Sequence, residues 1–239
     1  MATIAADGNG LGDFMRRVRD HAPTDSGDLP RRINQATWRA LVDAIDAVSR
    51  PEVKQLPLVP HFIGGDDVLV SVPAHDAWRF TCRLQERFTD RLRAELGEMV
   101  GNLDPPTMSA GVVIHHRTVP IFVVVELAEA LLSRSKSEWR GELAALAWHD
   151  ITNEGPEPTR RGSISLDGLR THWEELNQLR SLPASARHRL VRLAAGEADA
   201  AELDEHLDRL QLRDYVEPFL RSDQINLVDA LRMVRWWLG

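Results

Sequence analysis

Apolar residues follow two spacings up to about residue 150. Short runs without helical spacing alternate with longer stretches of three-four spacing. Thr3-Ile4-Ala5-Ala6 predicts a short buried strand ending in Asp7 and the glycine-rich bend Gly8-Asn9-Gly10-Leu11-Gly12, after which Phe14, Met15 and Val18 repeat as in a helix. Residues 22–30, with proline, glycine and short polar side chains, read as a loop. Ile33, Ala36, Ala40, Leu41, Ala44, Ile45 and Val48 then predict an amphipathic helix that stops before Pro51. Two apolar runs, 56–63 and 68–72, flank Gly64-Gly65-Asp66-Asp67 and predict a β-hairpin with both acids at its bend, because glycine reaches the positive φ of a tight turn. Pro57 and Pro60 make the start of its first arm irregular or an edge.

Residues 74–97 predict a long helix with Leu84, Phe88, Leu92 and Leu96 on one face, followed by a breaker at 101–106 and a strand over 107–115. Pro120 opens a helix whose core face is read as Ile121, Val125, Ala128 and Leu132, running out near Lys136. Residues 143–151 read as a last strand, and 152–163 as a polar, proline-rich link. Everything beyond is expected to be helical, with four apolar stripes: Leu169, Trp173, Leu176; Leu203, Leu207, Leu210; Tyr215, Val216, Phe219, Leu220; and Leu227, Leu231, Val234, Leu238. These elements predict a layered fold with a central sheet over residues 1–160 and a helical domain over 161–239.

Composition narrows the partners. With 29 basic against 36 acidic residues the formal charge is −7, which argues against holding a nucleic-acid backbone, so no direct DNA binding is expected while nucleotides remain possible. The lone cysteine, Cys82, falls in a helical pattern, excludes an internal disulfide and fits a reducing compartment. No run of eighteen apolar residues occurs and the start lacks the features of a signal peptide, so a cytoplasmic protein without a membrane span is expected.

The candidate chemistry lies in the acids. Two adjacent aspartates repel each other, so placing both at the end of a sheet is costly unless a cation neutralises them. Mg²⁺ suits that task, since it prefers carboxylate oxygen and is commonly completed by substrate phosphates. The hairpin tip therefore reads as half of a metal–nucleotide site. Asp7 and its bend, leading into a helix start, offer amides suited to phosphate. The glycines there do not form a dinucleotide fingerprint, because Asp13 stands at the third required position. His75-Asp76 and His149-Asp150 match the dipeptide of His-Asp phosphohydrolases but lack an all-helical domain with further ligands. His115-His116 reads as a solvated turn.

The order of motifs is more specific than any one of them: Asp7-Gly8-Asn9-Gly10-Leu11-Gly12, then Gly64-Gly65-Asp66-Asp67, then Ser109-Ala110-Gly111 with its following apolar run, then a helix ending in Lys136. This resembles the palm of nucleotidyl cyclases and polymerases, and specifically the cyclase palm of the large subunit of type III CRISPR complexes, over residues 1–160. The helical tail is similar in kind to the small bundle that follows that palm. Diguanylate cyclases look like more distant relatives. The resemblance implies an α+β, ferredoxin-like palm with a mostly antiparallel sheet, followed by a C-terminal helical bundle. It also implies a stand-alone relative of the kind called a minimal CRISPR polymerase, which makes a cyclic nucleotide signal in bacterial defence. The family's second acid of the first motif is Asn9 here, which puts a peripheral metal contact in doubt and leaves the backbone carbonyl of the bend as a contributor.

From the resemblance follow these expectations. Mg²⁺ or Mn²⁺, two per site, is held by Asp7 with Asp66 or Asp67, the hairpin pair being catalytic. Gly8, Asn9, Gly10 and Leu11 cradle the triphosphate with Gly64 and Gly65, Lys136 and Arg134 reach its outer phosphates, and Ser109 contacts base or ribose. ATP is the expected substrate, two copies face each other as a homodimer, and a cyclic-nucleotide-sensing effector lies downstream. The rival expectations are a catalytically silent palm acting as a subunit of a CRISPR-like assembly, and a diguanylate or mixed-base cyclase.

Overall fold

The computed structural model describes residues 1–21, 26–100, 103–197 and 200–237. Residues 22–25 of the expected loop, Gly101 and Asn102 of the expected breaker, and Leu238 of the last apolar stripe lie outside them. The chain divides into two compact units, Met1–Leu166 and Asp167–Gly239.

The first unit is built on a six-stranded sheet. Its elements are β1 (Ala2–Gly8), α1 (Leu11–His21), α2 (Leu29–Val48), β2 (Val59–Gly64), β3 (Asp67–Val72), α3 (Ala77–Leu96), β4 (Met108–Ile114), α4 (Ile121–Glu138), β5 (Ala145–Asp150), a helical turn α5 (Ile151–Glu154) and the two-residue β6 (Ile164–Ser165). The strand order is β2-β3-β1-β4-β5-β6, antiparallel throughout except for the parallel pair β4 and β5. This is the mixed palm architecture the resemblance implied. β1 sits centrally and is buried almost throughout, which its small apolar residues allow.

Side-chain parity assigns the two faces of the sheet. Ile4, Val70, Val112 and Trp148 share one face through the register. There Trp78 of α3 meets Trp148 edge to face at 5.3 Å, and Gln85 of α3 donates to the carbonyls of Met108 (3.1 Å) and Ala145 (2.8 Å). Ala5, Val113 and Ala147 share the opposite face and pack against Val124, Ala128 and Leu131 of α4. Contact is close there because β4 carries Gly111: a Cβ on it would stand 2.0 Å from the Ala128 carbonyl. Asp7 and Asp67 are odd-numbered like Ala5 and lie on α4's face.

Several expectations need correction. Leu29 and Pro30 belong to α2, proline being well suited to a first helical turn. The first hairpin arm begins at Val59 rather than at residue 56, and its register shifts between Pro60 and Phe62. The buried positions of α4 are Val124, Ala128, Leu131 and Ser135, while Ile121 is exposed, because an almost uniformly apolar first half leaves the core-facing side unreadable from spacing. Residues 145–150 do not form the last strand, since β6 pairs with β5 after the link. The link itself is anchored: Arg161 is buried over the Trp148 ring at 3.5 Å and pairs with Glu154 at 2.6 Å. Asp76 stands at the start of α3 without a capping bond and pairs instead with Arg50 at 2.9 Å. His115 is buried rather than solvated.

The second unit contains α6 (Leu166–Thr171, its first residue counted with the first unit), α7 (Trp173–Ser181), α8 (Ala184–Arg192), α9 (Ala200–Arg209), α10 (Arg213–Leu220) and α11 (Leu227–Met233). Trp173 packs on Trp237 with ring centres 4.3 Å apart, and the Trp237 indole donates to Asn177 at 2.7 Å. α8 carries arginines and a single buried residue, Leu190, and so has no apolar stripe to betray it. Leu210 and Leu220, expected in the core, are exposed. Among the described residues no helix is long and apolar enough to cross a membrane.

Candidate active site

Three carboxylates and one ammonium meet where β1 ends. The hairpin closes through Gly64 opposite Asp67, leaving Gly65 and Asp66 as a two-residue turn, and Gly65 takes the positive φ (64°) such a turn needs. Asp66 is thus the turn residue and Asp67 the first of β3. Asp66 Oδ2 accepts the Gly8 amide at 3.2 Å, and both hairpin acids come within hydrogen-bonding reach of Asp7. A Cβ at position 8 would stand 2.7 Å from Asp66 Oδ2, so any larger residue there would push the carboxylate aside. The tip is held from the other side as well, by the Gly65 amide donating to Asn34 Oδ1 of α2 at 3.1 Å.

Lys136 completes the cluster from α4. Its ammonium donates to Asp7 Oδ2 and, at 2.8 Å, to the Gly8 carbonyl. The Gly141 amide bonds the Lys136 carbonyl at 2.9 Å and ends the helix just beyond, fixing the lysine's backbone. Burial and the hydrogen bond and charge of Asp7 push the Asp66 carboxyl up to about 7. Asp67 is also raised, by burial and by the charge of Asp7. Burial works against ionisation of Asp7 too, but hydrogen bonds from Asp66 and Lys136 outweigh it and hold Asp7 below the usual carboxylate range. Asp66 therefore holds its proton to much higher pH than an ordinary carboxyl, while Asp7 beside it favours the ionised form.

The donor set suits a hard cation. Lys136 already places one positive charge between a carboxylate and a backbone carbonyl, and burial together with the neighbouring Asp7 makes a lone negative charge on Asp66 costly there. Among the described residues, no three acidic, histidine or cysteine side chains stand with the spacing of a ready ligand shell.

Other expected site residues are placed differently. Asn9 is buried and turns away, donating to Thr107 Oγ1 (2.8 Å) and the Leu143 carbonyl (2.9 Å), so its side chain anchors the bend instead of facing the acids. Gly10 takes a positive φ (61°), and Leu11 starts α1 almost buried. Ser109 pairs with Asp7 across β1 and β4 and is fully buried, its hydroxyl 3.5 Å from the Leu143 carbonyl. Arg134 is committed to the link, donating to the carbonyls of Thr159 (3.3 Å) and Arg161 (3.2 Å), and is not brought to the cluster. Sequence reasoning missed Asn34 and Thr107 at the site, and Gln85 on the opposite face of the sheet. The available signal for Asn34 and Gln85 was a polar residue beside the apolar positions of an otherwise amphipathic helix.

A sheet with acids at the end of its central strand and at an adjoining hairpin, covered by a helix that delivers a lysine, defines a palm-type domain. Residues 1–144 match Cas10/Cmr2, second palm domain, and the chain belongs to that family. Crystal structures of the Csm1-Csm4 cassette in complex with cA4, with cA3 and with one ATP are similar in fold. Their TM-scores are 0.61, 0.61 and 0.60 at 14%, 16% and 16% identity. The likeness covers 98% of this chain and 36%, 35% and 35% of those chains, so the chain spans about a third of their length. No curated protein matches the sequence.

Proposed function

We propose that the chain is a metal-dependent nucleotidyltransferase that converts ATP into a cyclic di- or oligoadenylate, a signal read by a downstream effector in antiviral defence. The observation that carries this reading is the meeting of Asp7 with Asp66 and Asp67 on neighbouring strands beside Lys136. Mg²⁺ or Mn²⁺, two per site and held by Asp7, Asp66 and Asp67, supplies activation of a 3′-hydroxyl and neutralises charge on the α-phosphate and the departing pyrophosphate. The Gly8 carbonyl would serve as a further oxygen donor beside the carboxylates, and Lys136 would contact the outer phosphates. Amides at the Gly10–Leu11 start of α1 orient the triphosphate. The acceptor nucleotide is presented by a second copy facing the first, as a homodimer. Support for adenine comes from the cA4, cA3 and ATP in complex with the Csm1-Csm4 cassette in those structures. Guanine or mixed bases are the alternative products. The test is mass spectrometry of products from each nucleoside triphosphate with Mn²⁺, beside the Asp66→Ala/Asp67→Ala double variant. Cyclic adenylates from wild type alone support the reading. No pyrophosphate release from any triphosphate overturns it.

A second reading is a nucleotide-binding palm that serves as a silent subunit of a CRISPR-like assembly. It is favoured by Asn9, whose side chain is spent on Thr107 and Leu143 where the family has an acid.

A further inference from the structure

We propose that the exposed ring of Phe62 is a platform on which the base of a nucleotide stacks while its phosphates lie at the carboxylates; this role rests on the nucleotide reading above. Phe62 stands opposite Leu69 and Gly64 opposite Asp67, so the ring, the tip glycine and Asp67 share one face of the sheet with Ala5 and Asp7. α4 packs on that face over β1, β4 and β5. β2 stays open, and Phe62 is 56% exposed.

An isolated exposed ring needs no explanation by itself. Two features set this one apart. The first is direction: the ring tip is 3.1 Å from where a Cβ on Gly64 would stand, so the ring lies along the strand toward the acids instead of out into water. Strand geometry puts Phe62 about 8 Å from Asp67, Cα to Cα, which a nucleoside can bridge.

The second is how its strand is held. The register shift between Pro60 and Phe62 makes His61 the extra residue of a bulge, a device that re-aims side chains. A bulged edge strand is prone to slip. Here His61 Nε2 meets Ser71 Oγ at 2.7 Å, Ser71 Oγ meets Thr3 Oγ1 at 2.8 Å, and Thr3 Oγ1 meets His115 Nε2 at 2.9 Å. Thr3, Ser71 and His115 are buried, so this line of four polar side chains ties the bulge to the central strand and the end of β4. The ring is thereby held in register beside the acids. A base fits this platform because every base offers a π face, and stacking adds affinity without selecting among bases.

The test measures binding of a non-hydrolysable ATP analogue and of inorganic tripolyphosphate, each with Mg²⁺, to wild type, Phe62→Ala and Phe62→Trp. Phe62→Ala is expected to weaken the analogue about 5- to 150-fold, the range for loss of one stacked base, with tripolyphosphate unchanged. Phe62→Trp is expected to bind the analogue at least as tightly as wild type. An analogue affinity that Phe62→Ala leaves intact, or an equal loss of both ligands, overturns the platform. So does a loss that follows dimer dissociation, which would make the ring an interface between copies. Wild type binding neither ligand overturns the nucleotide reading itself, a result distinct from wild type and Phe62→Ala both binding normally.

Discussion

Asp66 Oδ2 accepts the Gly8 amide at 3.2 Å, so the turn of the hairpin is fastened directly to the end of the central strand. That bond ties the first acid to the pair 59 and 60 positions later, and the bare Cα of residue 8 leaves the carboxylate room to make it. Gly8→Ala would put its Cβ 2.7 Å from the carboxylate oxygen, which lies at the end of a short, rotatable side chain. The expected result is a small loss of stability, about 1 kcal/mol, with a loss of Mn²⁺ affinity of at least tenfold. Thermal melting and calorimetric titration with Mn²⁺ separate the two. Wild-type metal affinity in Gly8→Ala would show that the bond is dispensable.

Asp66 makes the site sensitive to pH in a defined direction. Its carboxyl is raised from 3.8 to about 7 in the folded, metal-free protein. A group raised on folding contributes its stabilisation below its unfolded value and loses it as pH climbs through its folded value. The metal-free protein should therefore lose stability from this group between about pH 4 and pH 7. Mg²⁺ competes with the proton, so its apparent affinity should increase from pH 6 to pH 8. Melting temperatures with and without Mg²⁺ at the two pH values check this, and a metal-induced shift larger at pH 6 would contradict it.

Lys136 stands where a cation would sit, paired with Asp7. Lys136→Met removes the charge and keeps most of the stem, leaving Asp7 next to two carboxyls without compensation. The variant should be less stable than wild type by about 1–2 kcal/mol in EDTA, with the gap narrowing in millimolar Mg²⁺. Chemical denaturation under both conditions measures it, and a gap unchanged by Mg²⁺ would refute the stand-in role.

Gly111 sets the seat of α4. A Cβ there would meet the Ala128 carbonyl at 2.0 Å and the Leu132 amide at 2.5 Å, both backbone atoms that cannot rotate away. Gly111→Ala should cost about 3 kcal/mol or more and displace the helix that carries Lys136. Urea denaturation gives the first number, and a near-neutral result would mean that α4 can lift from the sheet at little cost.

The link is held by a buried ion pair. The Glu154 carboxyl sits in a buried setting that opposes its charge, yet hydrogen bonds from His149 and Arg161 hold it at about 2. A carboxyl lowered on folding contributes above its unfolded value and loses that contribution as pH falls. The corresponding stability should be present at pH 5 and disappear toward pH 2. Glu154→Ala should cost about 3–5 kcal/mol at pH 7, since it removes the carboxylate that balances the buried Arg161 charge. Melting of wild type and variant across this range tests both statements.

The hairpin with glycines and acids, the strand ending at Asp7 and the amphipathic face of α2 were legible because each depends on neighbours within a few residues: periodicity, turn chemistry and glycine's freedom at positive φ. What escaped reading depends on distant parts of the chain. The core side of α4 could not be read from an apolar run without a polar stripe, and it was decided by Gly111 of β4. Ser109 and Arg134 had the right residue types for ligand contacts, but their surroundings are set by distant parts of the chain: Ser109 is buried with its hydroxyl near the Leu143 carbonyl, and Arg134 donates to the carbonyls of Thr159 and Arg161.

The sequence alone determined the inventory of this protein: an acid at a strand end, a two-acid hairpin, a lysine near a helix end, and the residues that could form them. The tertiary structure alone decided that Asp7, Asp66 and Lys136 meet while Asn9 turns inward. Strand parity and the antiparallel register put Asp7 and Asp67 on one face and α4 above it, and a register shifted by a single residue would have sent the same side chains to opposite sides.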